Sequence, residues 1–415
     1  MQLTQDQQKA VQAFVDFVLS DDNMMVISGP AGVGKTALLK YLYKDKQFHA
    51  MAEVLGVKWP NTWHFTATTN KAAEVINESM GGSGATTIHS LLGLIVRNDY
   101  VTGKTKLTRS GSSTVIRDAV IVIDEASMVD DALLSMILSC TSNCKIVFIG
   151  DHCQLAPVGT TISPVFNLPR RVDLNEVVRS KGAPAITRLC EQLRHTVETG
   201  VFLPMEEVEG FIRHLSPEEA AQEIQTKFLE KDGDSRILAF TNNAVQGYNA
   251  HVRNLRGMPQ EPTPGEVMIN NSTVILSPNH RIRTEQTVEI FGEAQADTRV
   301  FGSFDLPIYR VDTSEGVVEV ARSAHDLSQA LKHFQKKKDW YTFYQIKERI
   351  ADFRPRTSST VHKAQGSTLE HVYINLTDIS RCTSNQEVAR LLYVAASRAT
   401  TSVNFIGKLA PRLGA

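Results

Sequence analysis

The run Gly29-Pro30-Ala31-Gly32-Val33-Gly34-Lys35-Thr36 constrains this chain more than any other feature. It follows a short apolar stretch, Met24–Ser28, and opens a helix-patterned segment, the strand–loop–helix setting that a phosphate-binding loop requires. Its glycines let successive backbone N–H groups curl around phosphate oxygens at a helix N-terminus. Lys35 is then placed to reach the β- and γ-phosphates, and Thr36 to offer its hydroxyl to Mg2+. A ligand-free glycine turn is the bland alternative, and the complete pattern in its context leaves that reading little room.

A second motif completes the first. Ile121-Val122-Ile123 ends in Asp124-Glu125, an apolar strand delivering two adjacent carboxylates. Asp124 is assigned to Mg2+ and Glu125 to polarising an attacking water. An acidic pair at a strand end is often only a solvated terminus, but an upstream phosphate loop shifts the balance to catalysis. The two motifs establish an ATPase or GTPase. They do not say what it drives.

The wider pattern is α/β. Gln5–Leu19 carries Ala10, Val11, Phe14, Val15, Phe17 and Val18 on a helical period, while Trp63–Ala67, Ala119–Ile123 and Lys145–Ile149 read as short buried strands. Strands alternating with helices give a parallel sheet with ligand chemistry at its carboxyl ends. The 415 residues leave room for two to four domains at ~100–200 residues each. Residues Leu91–Asp118 alternate apolar and polar around Thr102-Gly103-Lys104, a projecting β-hairpin. Gly257–Val320 reads as several short strands, a small barrel or sandwich, and Asp326–Ile350 as one long basic helix bearing aromatic residues. Strand-and-loop patterning returns at Thr360–Asn375 and Val403–Ile406, so a second α/β domain is split by an insertion.

Composition removes other classes. Hydrophobic residues at 42% and charged residues at 21% exclude a disordered or coiled-coil chain. A net charge of −1 excludes a globally basic binder but leaves room for a local basic groove. No apolar stretch approaches the ~18 residues of a membrane span, and Met1–Asp6 lacks the pattern of a secretory signal. The expected location is the cytoplasm, a host's if the source is viral. Five cysteines read as reduced thiols. Cys140, Cys144 and Cys153 with His152 lack the paired spacing of a zinc site.

Further segments carry a family resemblance. Leu3-Thr4-Gln5-Asp6-Gln7 resembles the Q motif, Thr66–Ala73 motif Ia, and Ala85–Leu92 the Thr-Ile-His-Ser element that follows it. Gly150–Val158 resembles motif III, Leu174–Ser180 motif IV, Ser359–Thr368 motif V and Leu392–Ala399 motif VI. In this order they resemble superfamily 1 helicases of the B branch, which holds RecD-like and phage Dda-type enzymes, from residue 3 to about residue 406. Ala395-Ala396 departs from the Gly or Thr common in motif VI, and the insertion has no residue-level match.

The resemblance implies two RecA-like P-loop NTPase domains with parallel sheets, plus the inserted hairpin and a small mostly-β insertion with its helix. The expected boundaries are 1–165 for the first domain, with the hairpin at about 91–118; 166–254 and 351–415 for the second; and 255–350 for the insertion. It implies that Gln7 reads adenine, that Gln154 senses the γ-phosphate, and that Arg179 and Arg398 reach the nucleotide from the second domain. Strand contacts fall to Thr68, Lys71, His89, Ser90, Thr360, His362 and Lys363, and a strand-parting wedge to Tyr100 and Val101. The implied activity is ATP- and Mg2+-dependent 5′→3′ movement on single-stranded DNA and unwinding of forked duplexes, by a monomer, with replication or recombination proteins as partners. A non-translocating nucleic-acid clamp, a small-molecule kinase and an RNA track are the competing readings. The kinase leaves motifs Ia, V and VI without a purpose. Lys336-Lys337-Lys338 beside Trp340, Tyr341 and Tyr344 reads as a solvated helix face before a duplex-facing patch.

Overall fold

The computed structural model describes residues 3–414 except 61, 112, 158, 177–183 and 230–232. Among these residues no helix is long and apolar enough to cross a membrane.

Two parallel sheets organise the chain. The first has six strands in the order Arg171–Asp173, Met24–Ser28, Lys145–Gly150, Ala119–Asp124, Thr62–Ala67 and Thr86–Thr87. Its strands are apolar on both faces because helices cover both sides. Along Ala119–Asp124, Val120 and Val122 face a core shared with Phe14, Leu38 and Phe65, while Ala119, Ile121 and Ile123 face one shared with Leu133, Ile137 and Phe148. Each such buried branched side chain contributes ~1.5–3 kcal/mol. A one-residue slip would exchange the two faces, so the register that sets Asp124 and Glu125 at the strand end is fixed by packing.

The second sheet has five parallel strands: Ile212–Leu215, Ala399–Ile406, Leu369–Asn375, Ser235–Ala239 and Ser358–Thr360. Helix Asn385–Ala396 packs on it beside helix Pro184–Thr199, with Val388, Leu391, Leu392 and Val394 fully buried. The two sheets end in equivalent devices. Thr69 caps helix Asn70–Ser79 in the first, and Thr241 caps helix Asn242–Leu255 in the second. At the far edges, Thr87 caps the single turn Ile88–Leu91, and Thr360 caps Val361–Ala364.

The sheets correct the expected boundaries. Arg171–Asp173 pairs with Met24–Ser28, so the first sheet extends past residue 165. Phe353–Pro355 pairs with Val267–Asn270, so the insertion's sheet extends past residue 350. The insertion holds small antiparallel sheets around a core of Met268, Val274, Val288, Val311, Val318 and Phe353, and a second core of Leu306, Ile308, Ala330, Phe334, Ile346 and Ile350 packs its helices on the strand Phe304–Thr313. The single long helix over Asp326–Ile350 is also corrected. Helices Ala324–Lys336 and Trp340–Arg349 meet at Lys338, whose φ of 56° is left-handed, and Asp339 caps the second by accepting from Thr342 N at 3.0 Å.

The projecting hairpin pairs Leu94–Asn98 with Thr105–Arg109. Asp99 ties its tip, accepting from Val101 N at 2.9 Å and Thr102 Oγ1 at 2.6 Å. Gly103 has φ 69° and lies against the Trp340 indole, where a Cβ would come within 2.4 Å of the ring. No other residue fits there.

Candidate functional site

Strand Met24–Ser28 delivers the phosphate loop to helix Lys35–Lys44, whose N-cap is Gly34 at φ 79°. Lys35 Nζ donates to Gly29 O at 2.6 Å and Pro30 O at 2.8 Å, which holds the ammonium across the loop's mouth. Gln7 supports the loop from behind. Its Nε2 donates to Val33 O at 3.0 Å, and its Oε1 accepts from Thr4 N at 3.1 Å in a capping box. With Gln7 only 2% exposed, its amide serves the helix start and the loop backbone in this conformation; the second hydrogen on Nε2 is what remains for a base.

Strand Ala119–Asp124 brings the carboxylates beside this loop. Asp124 Oδ1 accepts from Glu125 N at 2.8 Å, and Glu125 itself is left-handed at φ 53°. The Asp124 carboxyl is pushed up to about 6, first by burial and then by the Glu125 charge, with Lys35 pulling the other way. A buried carboxyl raised by burial and by a neighbouring carboxylate is relieved by a divalent cation, so this donor set fits Mg2+, which Asp124 and the Thr36 hydroxyl would hold. When bound, the ion supplies charge neutralisation at the β- and γ-phosphate oxygens.

Gln154 follows strand Lys145–Gly150 and is 6% exposed. The second domain holds it in place. Arg390 Nη1 donates to Gln154 O at 2.6 Å, and Gln365 Nε2 donates to Gln154 Oε1 at 3.0 Å. Beside it, Asp151 is buried and accepts from Arg194 Nη1 and Tyr393 OH, both at 2.6 Å. The ligand atoms of Asp151, His152 and Cys153 lie within 4.8 Å of one another, but Arg194 already supplies the cation that this carboxylate needs. Arg171 Nη2 donates to His152 Nδ1 at 3.0 Å, which leaves the ring proton on Nε2, 3.5 Å from Glu198.

The predicted arginines fare differently. Arg179 lies outside the described residues. Arg398 is 6% exposed and donates to Val394 O at 3.1 Å and Ser397 Oγ at 2.8 Å, so in this conformation it is turned into its own helix end.

The strand-facing candidates divide in the same way. Thr68 donates to Glu125 O at 3.1 Å and so braces the catalytic strand end. Lys71 is exposed on the next helix; partial burial and the Arg236, Arg356 and Arg398 charges depress its ammonium. Thr87 Oγ1 donates to Ser90 Oγ at 2.9 Å, and His89 is half-buried with its ring depressed by burial. Thr360, 8% exposed, accepts from Lys363 N as the helix cap, whereas His362 is exposed. Lys363 Nζ meets Glu285 Oε1 at 3.0 Å and Asn271 O at 2.9 Å, so the insertion neutralises it.

Sequence reasoning missed Thr241, Asn242 and Gln365. The signal was present: Thr69-Asn70 recurs as Thr241-Asn242, and Thr87-Ile88-His89 as Thr360-Val361-His362, once per sheet. It missed equally the support of the hairpin. Tyr344 OH donates to Gly103 O at 2.8 Å, and the Tyr100 ring lies 5.7 Å from Tyr341 and 5.9 Å from Tyr344. Tyr341 and Tyr344 therefore buttress the hairpin, while Lys336, Lys337 and Lys338 are exposed. Val101, 85% exposed, is the apolar tip.

A phosphate loop, paired carboxylates and a second parallel sheet lending Gln365 to them define a P-loop NTPase with two RecA-like domains. The family profile described as an AAA domain matches residues 2–215, and the one described as a UvrD-like helicase C-terminal domain matches residues 357–406. The chain belongs to this AAA family and is a superfamily 1B helicase. It is 24% identical to the ATP-dependent DNA helicase dda of Enterobacteria phage T4, over 97% of this chain and 99% of that protein. Over 33% of the chain it is 33% identical to RecBCD enzyme subunit RecD of Buchnera aphidicola subsp. Schizaphis graminum, of which the match spans 23%. The crystal structure of Pif1 helicase from Bacteroides in complex with ADP-AlF3 and ssDNA superposes with a TM-score of 0.49 at 16% identity, covering 97% of this chain and 92% of that one.

Proposed function

We propose that this protein couples ATP hydrolysis to 5′→3′ movement on single-stranded DNA and so unwinds duplexes at forks. The carrying observation is the pair of equivalent turns, Thr87–Ser90 and Thr360–Lys363, one at the edge of each parallel sheet, with Gln365 linking the second directly to Glu125. Two grips on two domains that share one nucleotide are what a stepping motor needs, because closure over ATP changes the distance between the grips.

The residue roles follow from that reading. Lys35 grips the β/γ-phosphates, Thr36 and Asp124 hold Mg2+, and Glu125 takes the proton of the attacking water. Gln154 reports the γ-phosphate, with Arg398 and Arg179 closing from the second domain. Gln7 steadies the loop and offers its remaining hydrogen to adenine. Thr68, Lys71, His89, Ser90, Thr360, His362 and Lys363 line the track, joined by Thr241 and Asn242. We divide the chain into 1–173, 174–254 with 356–415, and the insertion between, and we assign a monomer acting in the cytoplasm beside replication or recombination proteins.

The test is unwinding of forked substrates bearing either a 5′ or a 3′ single-stranded tail, with ATP and Mg2+. Unwinding from the 5′ tail alone is expected. Strand binding with DNA-independent ATPase and no unwinding would favour the clamp reading.

A further inference from the structure

Gln365 ends the turn Val361–Ala364 and crosses to the first domain. Its Nε2 lies 3.2 Å from Glu125 Oε2, 3.2 Å from Ser127 Oγ and 3.0 Å from Gln154 Oε1. A carboxylate and an amide oxygen accept and cannot donate, so the orientation of this carboxamide is set by chemistry: the nitrogen must face them. The other end of the same planar group, Oε1, is buried without a hydrogen-bond donor among the described residues. Covalent geometry puts that oxygen about two ångström from the nitrogen, in the pocket of Glu125. Buried acceptors are ordinarily satisfied.

The reaction supplies the missing donor. A water attacking the γ-phosphorus has two hydrogens, and Glu125 takes only one. The second needs an acceptor that fixes the water's orientation for in-line attack. Gln154 Oε1 already accepts from Gln365, whereas Gln365 Oε1 accepts from no described donor and is the fully open acceptor of the two amides beside the base.

We propose that Gln365 is a water-positioning residue for ATP hydrolysis, supplied by the second domain and carried on the strand-facing turn itself. The inference rests on the motor reading above. In the step, the water oxygen bonds to the γ-phosphorus, and the bond from that phosphorus to the β–γ bridging oxygen breaks, its electron pair leaving with ADP. One proton passes to Glu125. The other stays on the new phosphate oxygen, hydrogen-bonded to Gln365 Oε1. Because Thr360, His362 and Lys363 precede Gln365 in the same turn, a bound strand that settles this turn also settles the water, and hydrolysis becomes strand-dependent.

The experiment compares steady-state ATP hydrolysis by the full chain with and without oligo-dT, for wild type, Gln365→Leu and Gln365→Asn. Leucine keeps the bulk without the acceptor, and asparagine keeps the amide one methylene too short. For both variants kcat with oligo-dT is expected to fall at least ~10-fold, and the stimulation ratio to fall towards one. KM for ATP and Kd for oligo-dT, measured by fluorescence anisotropy, should stay within ~3-fold of wild type, since the variants alter the attacking water and the groups around Glu125 and leave the phosphate loop and the strand-facing side chains in place. Wild-type kcat in either variant overturns the assignment, as does a loss of kcat matched by equal losses in ATP and oligo-dT affinity. A wild-type protein that oligo-dT does not stimulate would instead overturn the motor reading, whatever the variants do.

Discussion

At the scale of single residues, the ATP site depends on charge placed by backbone geometry. Lys35→Ala removes the ammonium that spans the loop mouth and should lower kcat by ~10³-fold or more while the protein stays folded, checked by circular dichroism and phosphate release. Glu125→Gln should bind ATP and hydrolyse it ~10²–10⁴-fold more slowly, because a carboxamide cannot take the water's proton. His152 carries a pH prediction. Burial and the Arg194 and Arg171 charges depress its ring below the ordinary 6.5. The unfolded chain therefore takes up the proton first, and stability present above pH 6.5 is lost as the pH falls towards the folded value. Thermal denaturation between pH 7.5 and 5.5 should show a drop in Tm that is smaller in His152→Gln; equal slopes would remove this histidine from the account.

At the scale of elements, the hairpin is the part whose role follows from what holds it. An isolated two-stranded hairpin is marginal in water. Here the tip is pinned by Trp340 under Gly103, by the Tyr344 hydroxyl and by Asn98 donating to Glu348. A pinned apolar tip at Val101 can resist a terminal base pair, whose opening costs ~1.4 kcal/mol on average. Replacing Asn98–Lys104 with a tight turn should leave DNA-stimulated ATPase near wild type and reduce unwinding of a forked duplex at least ~10-fold. Gly103→Val should do the same by driving a side chain into the Trp340 ring. Unwinding that survives both changes would move the wedge elsewhere. The hairpin was legible in sequence because Thr102-Gly103 sits between alternating segments. Its buttress was not, since Trp340 and Tyr344 are some 240 residues distant and read equally well as a helix face.

At the scale of the whole molecule, the two domains are joined through a buried charge. Asp151 follows the first sheet, whereas Arg194 and Tyr393 come from two helices of the second domain. Arg194→Ala strands a carboxylate whose side chain is 0% exposed, and should destabilise the protein by ~3–5 kcal/mol in urea denaturation. A loss under 1 kcal/mol would mean the carboxylate is hydrated after all. Strand affinity should fall with salt despite the net charge of −1, with a log–log slope of about −0.7 per phosphate contacted; a flat response would rule out a backbone-tracking groove. By itself the sequence determined what is local. The phosphate loop, the Asp124-Glu125 strand end and the helix over Gln5–Leu19 are each specified by residues within a few positions, through backbone freedom and hydrophobic period. Tertiary structure decided what depends on distant groups. The Arg171–Asp173 strand joined the first sheet through pairing with Met24–Ser28, and Lys338 broke the long basic helix. Lys363 met Glu285, and Gln365 reached Glu125. A side chain's partner across 240 residues is set by how two sheets pack, and no local periodicity carries that information.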